Sequence, residues 1–288
     1  MRLRNACSVV ILCITGTAIC QMAPLPSDRL EPITGFAEPI ANQGKRAQAF
    51  DLIERARWNY NLHAEGREPF KLKISFTSSG HSLLEGSGSM EETWIASRNW
   101  RWISTFAGTR QERLGTADVL YGTLDPVPLR VQMVRSALFW PIGNPSQEML
   151  RSASVKYRGE KLTCLLTSGS VPDSAASRFW VETEYCIDPK TSLLKVWSEA
   201  PGIYALYDYN NAPVFHGHTL PREITVYENS NSVLTVHLES IHDAGDVDPK
   251  FFEPSQDMIA QGPSFTLSRY VSRSRLIRIR EVRHSFSR

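Results

Sequence analysis

From Phe70 to Thr77 the chain alternates: Phe70, Leu72, Ile74 and Phe76 take one phase, and Lys71, Lys73, Ser75 and Thr77 the other. Similar alternation recurs almost to Pro254. A period of two predicts antiparallel strands that bury one face. Strands are expected over residues 70–77, 90–96, 100–106, 155–157, 162–167, 179–187, 193–198, 203–209, 220–227 and 233–241. Gly80, Arg98-Asn99, Asp188-Pro189-Lys190-Thr191-Ser192 and Asn229-Ser230-Asn231 are read as turns between them, and Gly86-Ser87-Gly88-Ser89 as a flexible hairpin turn.

The period changes over residues 44–63. Ala49, Leu52, Ile53, Ala56 and Tyr60 form one stripe, opposite Lys45, Arg46, Asp51, Glu54 and Arg55, which predicts an amphipathic helix lying across the sheet. Asp125-Pro126-Val127-Pro128 opens a second, shorter helix carrying Val127, Val131, Val134 and Leu138, and this runs into the apolar Phe139-Trp140-Pro141-Ile142-Gly143. A weak helical turn is expected over residues 147–151. Residues 243–254 read as a closing loop that plugs Phe251 and Phe252 into the sheet edge. The expected fold class is α+β: a large curved antiparallel sheet, a half-barrel of about ten strands, with two helices on its concave side. An apolar concave face suits holding or docking an apolar group.

Composition fits a large folded domain: 288 residues, 42% hydrophobic and 10% aromatic. Arg2 and Arg4 followed by an apolar run to Cys20 read as a secretory signal peptide, cleaved near Cys20. The run is too short for a membrane span. Acylation of Cys20 is less favoured, because Ile19 stands where a lipoprotein signal usually carries a small residue. The predicted location is therefore periplasmic. Residues 21–43, with four prolines, read as an extended arm, 44–258 as the sheet domain, and 259–288 as an arginine-rich tail. The formal charge of +2 hides an asymmetry: residues 264–288 carry seven arginines and one acid. That tail suits peripheral contact with an anionic membrane, and nucleic acid is not expected as a partner of an exported protein. With the signal removed, Cys164 and Cys186 remain. Two thiols in an oxidising compartment usually pair; two separate buried thiols are the alternative.

No nucleophile elbow, phosphate loop, dinucleotide fingerprint or zinc-protease helix occurs, so no catalytic residue, cofactor or metal is assigned. His216-Gly217-His218 and Asp243, Asp246 and Asp248 are read as solvated loops in preference to metal sites. Glu91-Glu92 and Glu182-Glu184 are read as the wet face of their strands. The constellation left is aromatic. Trp94, Trp100, Trp102, Phe106, Phe139, Trp140, Phe179 and Trp197 are the candidate lining of an apolar cavity. Trp94 and Trp180 fall on strand faces opposite most of their apolar neighbours, so either side of the sheet is open to them.

The order of parts, with "PFKLKISF", "EGSGSMEETWIASRNWRWISTF" and "LPREITVYENSNSVLTVHLESI" as its phrases, resembles the lipoprotein-carrier (LolA/LolB-like) half-barrel. It also resembles the exported domain that precedes a TonB-type energy-transducer C-terminus in some bacterial proteins, here without that C-terminal domain. The resemblance covers residues 44–258. It implies a non-enzymatic carrier for an acyl chain or other apolar small molecule, or a module that docks an envelope protein.

Overall fold

The computed structural model describes residues 37–80, 85–123, 127–143, 150–168, 182–200, 202–263 and 265–266. The signal segment, most of the arm, the segment containing Phe179 and Trp180, and residues 264 and 267–288 of the arginine-rich tail lie outside them. Among the described residues, fourteen strands form one open sheet. In chain order the elements are β1 (Glu38–Pro39), α1 (Gln43–Trp58), β2 (Phe70–Ser78), β3 (Gly86–Ala96), β4 (Asn99–Phe106), β5 (Thr109–Thr116), β6 (Val119–Gly122) and α2 (Leu129–Phe139). Then follow β7 (Arg151–Tyr157), β8 (Glu160–Ser168), β9 (Glu182–Ile187), β10 (Leu194–Ala200) and β11 (Ile203–Asp208). A small hairpin, β12 (Val214–Phe215) with β13 (His218–Thr219), precedes β14 (Glu223–Glu228) and β15 (Asn231–Asp243). A 3-10 turn (Pro249–Phe252), α3 (Gln256–Gln261) and β16 (Phe265–Thr266) close the described chain.

The sheet runs β1-β7-β8-β9-β10-β11-β14-β15-β2-β3-β4-β5-β6-β16, and every pairing in it is antiparallel. The fold is α+β, a curved half-barrel whose two end strands are not joined. Long β15 pairs with β2 over nearly its whole length and so welds the two halves of the chain at the centre. Both longer helices cover the same face, where Leu52, Ile53 and Ala56 of α1 and Val131, Val134 and Leu138 of α2 join Phe70, Leu72, Ile74, Phe76, Trp94 and Trp102 in one core. The stripes expected for both helices are the buried ones. Asn42 caps α1 by accepting from the Lys45 N–H, and the helix ends at Asn59, earlier than residue 63.

Several expectations need correcting. Residues 109–122 form the hairpin β5–β6, unforeseen because Arg110, Gln111, Glu112 and Arg113 hide its alternation. The Gly86–Ser89 segment is the first part of β3 and not a turn. Arg151, expected in a helical turn, starts β7. Phe252 packs with Leu114 and Met258 on the back of the sheet, not at its edge, and Arg101 secures this closing segment by donating to the Phe251 carbonyl at 2.8 Å.

Gly88 shows why glycine belongs in β3. The Phe76 ring lies across it, so that an added Cβ would stand 2.3 Å from Phe76 Cζ and 2.7 Å from the Thr105 carbonyl oxygen. Phe76 is buried and cannot swing out. Gly88→Ala is therefore expected to cost about 1–3 kcal/mol by overpacking, read as a lower urea midpoint at unchanged slope.

Candidate functional site

The helix face of β2–β5 is where the sequence placed its aromatic lining. Cross-strand register puts Phe70, Trp94, Trp100 and Gly115 in one row, and Leu72, Glu92, Trp102 and Arg113 in the next. Trp94 thus shares the face of the apolar residues, one of the two sides its phase left open. Trp94, Trp102, Phe106 and Phe139 are buried, Trp100 and Trp197 pack partly buried against the same core, and Trp140 is 43% exposed. Phe179 lies outside the described residues. Trp94 stacks on Phe70 at 5.7 Å, and Phe106 meets Phe76 at 5.5 Å. The buried members of the set fill this space with their own rings.

At its centre stands a charge. Glu92, two residues from both Met90 and Trp94 on β3, points to the helix face and is 2% exposed, so it is no part of a wet face. One carboxylate oxygen accepts from Arg135 Nη1 of α2 at 2.6 Å. The other lies 2.8 Å from Nε2 of His63, in the segment between α1 and β2. Burial alone pushes the Glu92 carboxyl up, but Arg135 and His63 overcome it and hold the group down at about 2. Glu92 is an anion at neutral pH, and the His63 nitrogen facing it carries the proton.

Rings enclose the cluster. His63 meets Phe139 edge-on at 4.5 Å and lies near Phe70, Trp94 and Trp140, and the Arg135 guanidinium sits over Trp102, Phe139 and Trp140 at 5.0–5.5 Å. His63 Nδ1 is buried and has no hydrogen-bond partner among the described residues. Among the described residues, no hydroxyl or thiol therefore bonds to the imidazole as a nucleophile would. What the arrangement does is tie three separate pieces of chain, α2, β3 and the α1–β2 connection, to one carboxylate.

Further polar ties seat the helices. Tyr207 Oη of β11 donates to the Ala137 carbonyl of α2 at 3.1 Å, and Arg130 Nη1 reaches Glu228 at 3.3 Å. Arg130 is itself 1% exposed, with Nε unpartnered. Beyond α1, the Tyr60 hydroxyl lies 2.6 Å from that of Tyr209, which donates to the Leu194 carbonyl. Burial pushes the Tyr60, Tyr207 and Tyr209 phenols above their ordinary range, so they stay neutral donors. Leu129 and Trp140, at the two ends of α2, are large apolar side chains left in solvent.

The other sequence candidates separate. Cys164 and Cys186 face each other on β8 and β9 and form a disulfide on the sheet's back face, among Leu162, Leu166 and Val196. Glu184 lies beside them, but both sulfurs are committed to the bond, which leaves one carboxylate and no thiolate for a metal. Glu182 and Glu184 are buried, again correcting the wet-face reading, and Arg151 holds Glu182 through contacts of 2.8 and 3.0 Å. His216 pairs with Asp243 at 2.6 Å, His218 donates through Nδ1 to the Trp58 carbonyl, and Asp248 accepts from the Lys250 N–H at the start of the 3-10 turn.

No family model and no curated protein matches the sequence. Among solved structures, the chain is similar to a LolA superfamily protein from Nitrosomonas europaea, at 13% identity and TM-score 0.48, covering 71% of this chain and 96% of that one. It is also similar to a DUF1329 family protein from Desulfovibrio piger, at 10% identity and TM-score 0.44, covering 72% and 96%. This is a likeness of fold. At such identities and scores it says nothing about which residues act, and the function rests on the geometry above.

Proposed function

We propose that this chain is an exported, non-enzymatic binding or carrier protein that takes an acyl chain or another apolar group between its sheet and α2. One observation carries the reading: a single apolar core lies between an open sheet and helices that, among the described residues, share no backbone hydrogen bond with it. Moving α2 exposes that core without breaking a strand ladder. In the closed state the space is occupied by Trp94, Trp102, Phe106 and Phe139, so a guest enters by displacing α2, with Trp140 and Leu129 as the first apolar surface it meets. A disulfide between buried cysteines fits an oxidising compartment, which supports the periplasm as the location.

The test is organic extraction of the mature protein purified from its own cell envelope, followed by mass spectrometry and hydrophobic-dye binding. An acyl lipid in near-stoichiometric amount, displaced by the dye, is the expected result. Neither lipid nor dye binding overturns the proposal, and high-yield capture of one envelope protein by crosslinking in whole cells would then favour a docking module.

A further inference from the structure

Outside the α2 interior, a cleft of about 340 Å³ opens between the segment after α1 and the β12–β13 hairpin. Its lining includes Leu62, Arg67, Glu68, Phe215, His216 and His218. Leu62 and Phe215 are buried members of the main core, so one wall is apolar. The other walls carry charge. The guanidinium carbon of Arg67 sits over the Trp58 indole, 3.6 Å from its centroid, and the His218 ring stacks on the same indole at 5.0 Å.

Arg67 is the cation of this cleft that no acid of the described residues pairs. Its Nε is buried and unpartnered, and among the described residues no carboxylate or carbonyl meets its guanidinium. Arg101, Arg130, Arg135 and Arg151, whose side chains are also mostly buried, each have a carboxylate partner. A planar cation stacked on an indole at the wall of a cleft, with no anion supplied by the described residues, is preorganised to receive one. His216 is already engaged by Asp243. His218 spends its Nδ1 proton on the Trp58 carbonyl, and burial pushes its imidazole below the ordinary histidine range, so Nε2 offers a lone pair in place of a second positive charge. Recognition of the anion therefore falls to Arg67. Glu68, exposed at the rim, opposes it.

We propose that this cleft binds a phosphate or carboxylate group carried on a short apolar stem, with the oxyanion on Arg67 and the stem against Leu62 and Phe215. The volume is at the small end for ligand sites and fits a head group or a small organic acid. The proposal does not depend on what the α2 interior holds, because no residue of α2 lines the cleft.

The test is calorimetric titration of the full mature chain with hexyl phosphate, hexanoate and inorganic phosphate. Hexyl phosphate or hexanoate is expected to bind about tenfold more tightly than inorganic phosphate, through the apolar wall. Arg67→Gln should weaken that binding about tenfold or more, from the loss of charge-assisted hydrogen bonds. Glu68→Gln should strengthen it, and Arg98→Gln, an exposed arginine paired with Asp118, should leave it unchanged. Since Glu68 is exposed, its variant decides the matter even if Arg67→Gln folds poorly. No binding of any probe, equal binding by Arg67→Gln, or weaker binding by Glu68→Gln would overturn the assignment.

Discussion

Glu92→Ala is expected to lower the stability of the folded chain by about 3–5 kcal/mol, measured by urea denaturation at neutral pH, because it leaves the largely buried Arg135 without its counter-charge. Lost packing is the smaller part. Glu92→Gln keeps the shape and should lose most of the same amount, which separates charge from volume. Replacing Glu92, Arg135 and His63 together by apolar residues should recover much of the loss, since a buried ion pair often does no better than well-packed hydrocarbon. The pH dependence has a definite sign. A carboxyl held at about 2 when folded, against about 4.5 when unfolded, contributes stability that is fully present above about pH 4.5 and is lost as pH falls toward 2. Over that window Glu92 alone accounts for about 3 kcal/mol, and the acid limb of the stability curve should flatten in Glu92→Gln. The two partners that face Glu92 are the Arg135 guanidinium and His63.

This cluster also bears on the carrier reading, because Glu92 is a buried point where α2 is fastened to the sheet by charge, beside the Arg130–Glu228 pair. Weakening the fastening should make α2 easier to lift, so Glu92→Gln should take up hydrophobic dye faster than the unaltered chain even at temperatures where both are folded. Equal uptake rates would mean that α2 is not the part that moves. The Tyr207 contact to the Ala137 carbonyl is a neutral tie two residues from Arg135, and its loss should have a smaller effect.

The strands with clean alternation were legible in the sequence, and so were the buried stripes of both helices. β2 announces itself because every second residue is apolar and its interior face is wholly so. β5 does not, because its interior-facing positions hold Gln111, Arg113 and Gly115, which carry no hydrophobic period although Gln111 and Arg113 are almost completely buried. The turns that bound it could have shown it. Ala107-Gly108 and Ala117-Asp118 sit where a two-residue hairpin loop belongs, and Ala107, Gly108 and Ala117 have positive φ. The site was harder. His63, Glu92 and Arg135 come from three elements and share no local motif, so only the fold brings them together. Yet one clue lay in phase: Glu92 alternates with Met90 and Trp94, and an acid on the apolar phase of a strand is either an edge residue or a buried one with a partner. Reading Glu91-Glu92 as a pair concealed this, since neighbours on a strand face opposite ways. Glu182 and Glu184 share a phase with Cys186, and the same reasoning places them on a buried back face.

The Cys164–Cys186 bond offers the second large effect. The two cysteines are directly opposed in the β8–β9 ladder and are separated by 22 residues in sequence. In the chain-entropy account, closing a loop of that size removes freedom mainly from the unfolded chain, and its loss costs about 3 kcal/mol. For a domain of this size that corresponds to a fall in Tm of about 6–12 °C in the Cys164→Ala/Cys186→Ala double variant. Both cysteines are completely buried, beneath the back-face cluster that includes Leu162, Leu166 and Val196. Reductant therefore reaches the sulfurs only when this part of the sheet opens. Under native conditions reduction should be slow and should track the opening of β8 and β9, while in denaturant it should be fast. The two measurements separate causes that a Tm shift alone would merge. A double variant with unchanged Tm would mean that the ladder and the back-face cluster hold β8 to β9 without the covalent link. Rapid reduction of the native protein would mean that this half of the sheet opens far more readily than its buried, continuous pairing implies.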